Sequence, residues 1–293
     1  QNPDDALAHK RYVAALESLG FSDTHFVLEP VAAALYYARS LTRDATVLVG
    51  DFGGGTSDFS VLRFSSSGAG LAAEALSHSG IGIAGDSFDY RIIDNAVSPL
   101  LGKYATYRSW GKRLPVPVHY FASFSRWNEL CLMQRPDVLN DLRELARASD
   151  DRPQLQALID LIEGGVSYEL YRAVSRLKAE LSAAPQAQFQ FKRSGLKIDK
   201  VTARPDFENW ISEDLAKIGI TVDAALAKAG LEPRDIDQIF LTGGTSYVPA
   251  VRRLFDERFP ETPVDSGEQL LSIAKGLALV SQSNDISRWS VHA

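Results

Sequence analysis

The sequence predicts an α/β protein, and three observations carry that prediction. The apolar run Val47-Leu48-Val49 enters Gly50-Asp51-Phe52-Gly53-Gly54-Gly55-Thr56 and returns through Ser57-Asp58-Phe59-Ser60-Val61, the pattern of a β-hairpin with a glycine tip. A second strand-like run, Ile239-Phe240-Leu241, leads through Thr242-Gly243-Gly244-Thr245-Ser246 into a helix opened by Pro249. Between them the apolar spacing turns helical over three segments and then alternates strictly at Gln188-Phe189-Gln190-Phe191-Lys192. A chain of 293 residues is long for one globule, and two or three lobes are expected.

Taken in order, Asn2 suits a helix cap, Pro3 the first turn, Asp4 and Asp5 the positive dipole end, and Gly20 the stop. Leu7, Val13, Leu16 and Leu19, with Tyr12, form a side expected to face the core. Phe26-Val27-Leu28 predicts a short strand, and Glu29-Pro30 opens a helix through Ala32, Ala33, Ala34 and Leu35. The second hairpin strand is expected from Asp58 to Phe64 and a further strand from Leu71 to Leu76, with a turn at Ser65-Ser66-Ser67-Gly68. Gly80-Ile81-Gly82-Ile83-Ala84-Gly85 feeds a helix for which Asp86 serves as cap and Asp89 as third helical residue, ending near Leu101-Gly102. Leu114 to Phe124 is rich in proline and aromatics, and Asp137 to Ala148, Pro153 to Ile162 and Ser167 to Ala183 read as helices. Ser194-Gly195 turns the alternating strand into Leu196 to Val201. One long helix is expected from Asp206 to Ala229, stopped by Gly230, and a last one from Leu270 to Val280 containing Gly276.

Composition narrows the function classes. Hydrophobic residues at 45% and charged residues at 23% are ordinary for a globular protein, and no apolar run approaches the length of a bilayer span. A net charge of −6 argues against a nucleic-acid partner. The basic-aromatic cluster of Lys103, Arg108, Lys112 and Arg113 with Tyr104, Tyr107 and Trp110 reads as a solvated loop. The single cysteine, Cys131, and the lack of a signal-peptide pattern point to a reducing cytoplasm. The histidines are scattered without ligand spacing. The only methionine is Met133, so a chain opening Gln1-Asn2-Pro3 is expected to be a fragment or a processed form.

The glycine tip has chemistry of its own. Consecutive glycines can take positive φ and carry no Cβ, so the amides of Gly53 to Thr56 can close around anionic oxygens as a nest. Asp51, at the strand end, can hold a hydrated divalent cation bridging the same phosphates. A plain glycine turn accounts for the tip equally simply until other motifs are considered.

Those motifs are Leu28-Glu29-Pro30-Val31-Ala32-Ala33-Ala34-Leu35, Asp51-Phe52-Gly53-Gly54-Gly55-Thr56, Gly85-Asp86-Ser87-Phe88-Asp89, Leu177-Lys178-Ala179-Glu180-Leu181-Ser182 and Leu241-Thr242-Gly243-Gly244. In this order they resemble the nucleotide-binding domain of DnaK-type heat-shock chaperones, within the superfamily of actin and sugar kinases. His78-Ser79-Gly80 and the aromatic-rich insert are most similar to the YegD branch of bacterial DnaK homologues. The resemblance implies an actin-like, ribonuclease H-like mixed sheet flanked by helices, with an inserted α+β subdomain and nucleotide bound between two lobes. It divides the chain into residues 1–45 as the tail of the first lobe, 46–85 with 199–293 as the core of the second, and 86–198 as its inserted subdomain. The phosphate hairpin and catalytic lysine of the first lobe would lie before Gln1.

Residue by residue, the resemblance makes Gly53, Gly54, Gly55 and Thr56 the phosphate loop and Asp51 the acid that holds hydrated magnesium or orients the attacking water. Glu29 would reach the metal's water shell, although dipole stabilisation at a helix start explains that carboxylate too. Asp58 matches a position near bound cations, with a solvated strand acid as the alternative. Gly85 would lie near the β- and γ-phosphates, while Asp86 is foremost a helix cap. Ser175, Lys178 and Ser182 share one helix face; Lys178 and Ser182 match adenosine contacts, and Ser175 replaces a glutamate. Gly243 and Gly244 would approach the ribose or adenine. Ala179 and Tyr247 stand where arginines flank adenine, and Tyr247 could stack on the base.

The expected function is therefore a partial nucleotide-binding domain of a chaperone-like ATPase, with ATP or ADP and magnesium as cofactors and no membrane or nucleic-acid partner. In isolation it should turn over little. A non-hydrolysing nucleotide sensor or scaffold and a sugar-kinase-type phosphotransferase are the alternatives. A client or co-chaperone is not readable from these residues.

Overall fold

The computed structural model describes residues 5–27, 29–38, 43–67, 70–265, 271–282 and 286–290. Asn2, Pro3, Asp4, Leu28, Gly68 and Leu270, each part of an expected element, lie outside the described residues.

The chain runs α1 (Asp5–Ser18), α2 (Glu29–Ala38), β1 (Ala45–Phe52), β2 (Ser57–Ser67), β3 (Gly70–Ile81) and α3 (Gly85–Ile92). Next come β4 (Thr106–Ser109), β5 (Lys112–Pro115), α4 (His119–Ala122), α5 (Trp127–Leu132), α6 (Pro136–Ala148), α7 (Arg152–Glu163), α8 (Ser167–Ala183), β6 (Gln186–Arg193) and β7 (Leu196–Ala203). It closes with α9 (Arg204–Trp210), α10 (Ser212–Ala229), β8 (Gln238–Thr242), α11 (Pro249–Arg258), β9 (Val264–Asp265) and α12 (Ser272–Ser281).

One mixed sheet organises these elements, in the order β3-β2-β1-β8-β9. The first three strands form an antiparallel meander, with Asp51 opposite Asp58 and Asp58 opposite Gly80. β8 lies parallel to β1, placing Thr242 beside Asp51, and β9 continues parallel to β8. This is the α/β architecture expected, with helices on both faces. β1 is buried along nearly its whole length, which is why its sequence reads as a continuous apolar run rather than an alternation. Val47 and Val49 pack with Ala33, Ala34, Leu35, Phe240 and Val280 under α2 and α12. Leu48, Phe52, Phe59 and Val61 face the opposite layer, with Val222 and Ala225 of α10 and Phe255 of α11. α2 and α12 meet at backbone distance, since a Cβ on Gly276 would stand 1.7 Å from the carbonyl oxygen of Ala32.

Between β3 and α9 lies an α+β segment whose apolar residues belong to the same core. α3 contributes Phe88 and Ile92, α7 Leu155, Leu158 and Ile162, and the β6–β7 hairpin Phe189, Phe191 and Ile198. Arg91 ties this segment to α10 through a bidentate pair with buried Asp214, Nε to Oδ2 and Nη2 to Oδ1 both at 2.8 Å.

Several expectations are corrected. The apolar side of α1 is not in the core: Leu7, Tyr12 and Leu19 are exposed and Val13 and Leu16 are only half-buried, with the Phe26 ring lying 6.3 Å from that of Tyr12. Phe26 and Val27 form no strand. The long helix predicted from Asp206 to Ala229 breaks at Ile211, which leaves helical backbone and is fully buried, so two helices, α9 and α10, take its place. The basic-aromatic cluster is a hairpin rather than a loop: β4 and β5 pair antiparallel around Trp110 and Gly111, both at positive φ. α4 and α5 escaped the sequence reading because each is shorter than two turns of apolar period. Among the described residues no helix is long and apolar enough to cross a membrane.

Candidate functional site

A cavity of about 780 Å³ opens where the parallel strands β1 and β8 end, the usual ligand position in an open α/β sheet. The hairpin tip, the start of α3, one face of α8, the turn after β8 and the first residue of α2 form its walls.

The tip is held by its neighbours. Gly53 N–H donates to Thr56 O at 3.0 Å, closing the hairpin. Gly53 O accepts from Gly85 N–H (3.4 Å) and from the Thr245 hydroxyl (3.1 Å), and Gly54 O accepts from Asp86 N–H at 2.7 Å. With two successive carbonyls anchored, the peptide planes that carry the Gly54 and Gly55 amides are fixed. A Cβ on Gly54 would stand 3.3 Å from Asp86 Oδ1, so a larger residue at the tip would need the Asp86 carboxylate to give way slightly. Gly53, Gly54 and Gly55 are not among the positive-φ residues, so the small volume of glycine rather than left-handed backbone is what the tip uses. Because Gly53 N–H is spent on Thr56, an anion nest here would draw on the Gly54, Gly55 and Thr56 amides.

Asp51 is buried at the cavity floor, and Glu29 joins it in the wall. Burial is the main reason that the Asp51 carboxyl is pushed up to about 7, followed by its hydrogen bond to Glu29, the Glu29 charge and the Asp58 charge. Two hard carboxylates in one wall, crowded enough to raise a pKa by this much, fit a hydrated divalent cation, whose charge would relieve them. Among the described residues no three acidic, His or Cys side chains converge as a metal cage. Glu29 and Asp51 would therefore hold such an ion through water rather than enclose it.

Across the cavity, Lys178 Nζ pairs with Asp89 Oδ1 at 2.9 Å and donates to Gly85 O at 2.9 Å. Burial raises the Asp89 carboxyl to about 6, Lys178 opposes the rise, and Asp86 adds to it. Ser175, Lys178 and Ser182 share the cavity-facing side of α8, as their spacing predicts, and Ala179 joins them. The Ser182 hydroxyl donates to Lys178 O at 2.9 Å. On the facing wall Gly243 has φ +84°, and a Cβ there would stand 2.1 Å from Phe52 O, so this turn requires glycine. Gly244 and the half-exposed Tyr247 follow it into the wall.

The cavity thus gathers Glu29, Asp51, Gly53, Gly54 and Gly85 with Lys178, Ser182, Gly243, Gly244 and Tyr247. Gly55, Thr56 and Asp58 lie beside it without lining it. Asp58 reaches outward along the sheet, 3.7 Å from His78 Nε2. Asp86 does not cap its helix: Ala84 is the N-cap residue, and the Asp86 carboxylate instead leans over Gly54. Asp89, expected only as a first-turn residue, and Thr245, the clamp on Gly53, are the site residues that the sequence reading missed. Asp89 follows directly on Phe88 in a quoted motif and Thr245 on Gly243-Gly244, but only the fold brings Lys178 and Gly53 to them.

Comparison with known proteins follows the same outline. The family model described as Hsp70 protein matches residues 11–107 and 156–284, together well over half of the chain. The chaperone protein DnaK of Deinococcus deserti is 26% identical over 271 residues, covering 90% of this chain and 34% of its own length. That of Cyanidium caldarium is 27% identical over 267 residues (89% and 34%), and that of Cyanophora paradoxa 28% over 274 residues (91% and 34%). The chain spans about a third of the length of these curated relatives. Residues between the two matched segments include β5, α4, α5 and α6.

Proposed function

The chain belongs to the Hsp70 family, and from that premise we propose that its cavity binds ATP or ADP with magnesium and that the whole protein hydrolyses ATP there. The observation that carries this reading is the glycine hairpin tip lying in one wall with a hydrogen-bonded carboxylate pair, Asp51 and Glu29. The polyphosphate would lie along the tip and the start of α3, with the nucleoside toward α8 and the turn after β8. Magnesium, when bound, supplies positive charge to the phosphate oxygens. Asp51 orients the attacking water or the ion's water shell, Glu29 supports it, and Asp58 adds negative charge from the neighbouring strand without entering the cavity. The Gly54, Gly55 and Thr56 amides position phosphate oxygens, Gly53 and Gly85 hold that tip in place through their own backbone bonds, and Lys178, Ser182, Gly243, Gly244 and Tyr247 position the nucleoside.

The finer assignments belong to the same proposal. The sheet composition supports residues 46–85 and 199–293 as one lobe core with 86–198 inserted, while 1–45 as the tail of another lobe follows from kinship alone, its α2 packing on this sheet. His78-Ser79-Gly80 and the segment that the family model leaves unmatched support the YegD branch. A cytoplasmic location and a client or co-chaperone partner follow from kinship alone.

Single-turnover hydrolysis of radiolabelled ATP by the full-length protein tests the reading. Phosphate release that falls by about 10²-fold or more in Asp51→Asn, with nucleotide still bound, is the expected result. A second reading, a sensor that binds nucleotide without hydrolysing it, is favoured by Ala179 and Tyr247, which put uncharged side chains in the nucleoside wall. Bound ATP that never releases phosphate would select it, and a protein that binds no nucleotide would end both.

A further inference from the structure

A second cleft, of about 260 Å³, lies where α8 packs against β6, and four cationic side chains line it: Arg172, Arg176, Lys192 and Arg193. Arg172 and Arg176 are one turn apart on α8, and Lys192 and Arg193 end β6. Many other surface arginines are matched with acids: Arg108 and Arg113 share Asp150, and Arg253 holds Glu208. Among the described residues none of these four cations has a carboxylate within ion-pair distance. Glu169 also lines the cleft and offsets one of the charges, and Gln190 is engaged with Asp199 at 3.3 Å. Two guanidinium groups are already positioned: Arg172 lies over the Tyr168 ring at 5.8 Å, and Arg193 donates to Lys192 O at 2.9 Å.

We propose that this cleft is an anion site for a phosphomonoester group. In a chain of net charge −6, four unmatched cations in one concavity repel one another unless an anion is taken up. Guanidinium forks bind phosphate oxygens in pairs, and a tetrahedral dianion offers enough oxygens for both arginines of α8 and the facing pair on β6, which a single carboxylate does not. The cleft is smaller than pockets that enclose a whole drug-sized molecule, so it takes the phosphate group alone, free or carried on a phosphorylated side chain.

Fluorescence anisotropy of a labelled phosphoserine peptide, with inorganic phosphate as competitor, tests this on the full-length protein saturated with ADP. Arg172→Gln/Arg176→Gln should weaken binding about tenfold or more, Lys192→Gln/Arg193→Gln should do the same from the opposite wall, and Arg147→Gln on α6 should leave it within about twofold. Thermal midpoints of the double variants near wild type show that the fold persists. A peptide far tighter than free phosphate identifies a protein-borne group, and equal affinities identify free phosphate; both support the site. Unchanged affinity in both double variants, or equal binding of the same peptide with glutamate for phosphoserine, overturns it.

Discussion

Gly243 and Phe52 meet backbone to backbone at the ends of neighbouring parallel strands: a Cβ on Gly243 would lie 2.1 Å from the Phe52 carbonyl oxygen, and its φ is +84°. Gly244, the next residue, has nothing within 4 Å of that position. Gly243→Ala should therefore cost about 3 kcal/mol, the sum of left-handed strain and displaced backbone, and Gly244→Ala about 1 kcal/mol or less. Urea unfolding of the two variants checks this; equal losses would mean that the turn yields.

Lys178→Met should leave Asp89 buried without its counter-charge. Burial already holds that carboxyl near 6, above its ordinary 3.8, so the stability linked to it is complete below about pH 4 and declines as pH rises through about 6. The substitution should cost about 3 kcal/mol at pH 8 and much less at about pH 5, where Asp89 takes a proton. Urea unfolding at both values reads it, and Lys178→Met/Asp89→Asn should flatten the difference.

The Asp51 carboxyl, raised from 3.8 to about 7, carries the same sign. In the absence of divalent ions the stability linked to it falls as pH rises from about 4 to about 7, because the native state gives up a proton that the unfolded state has already lost. Asp51→Asn should remove that slope and gain about 1–2 kcal/mol at about pH 8. Magnesium should stabilise the wild type more at pH 8 than at pH 6, since ion and proton compete for one carboxyl; a thermal-shift series in both variants measures this.

Trp110 is almost fully exposed at φ 49°, beside Gly111 at φ 74°, in the turn of β4–β5. A bulky side chain in left-handed backbone with no packing in return is strained. Trp110→Asn should stabilise the protein by about 0.5–1 kcal/mol in thermal unfolding, unless a partner covers the ring.

The sheet was legible in the sequence where local chemistry and fold agree. Val47 to Val49 are apolar without a break because both faces of β1 are covered, and Gly20, Gly102 and Gly230 stop their segments in left-handed backbone. Ser175, Lys178 and Ser182 converge because helical period alone puts them on one side. What stayed hidden depends on long-range contact. Nothing near Asp89 announces Lys178, and nothing near Ile211 announces that its burial breaks a helix. α1 misled for the opposite reason, since its apolar spacing signals a buried face while Leu7, Tyr12 and Leu19 stand exposed.

The contact between Gly276 and Ala32 reaches further than its own helices. Glu29 is the first residue of α2, which packs on β1 and β2 and is met by α12 at Ala32. Any larger side chain at 276 would displace the Ala32 backbone of α2 and with it Glu29, altering from outside the cavity one of the influences that raise the Asp51 carboxyl. The acidity of the floor is in that sense tied to the packing of the layer behind it.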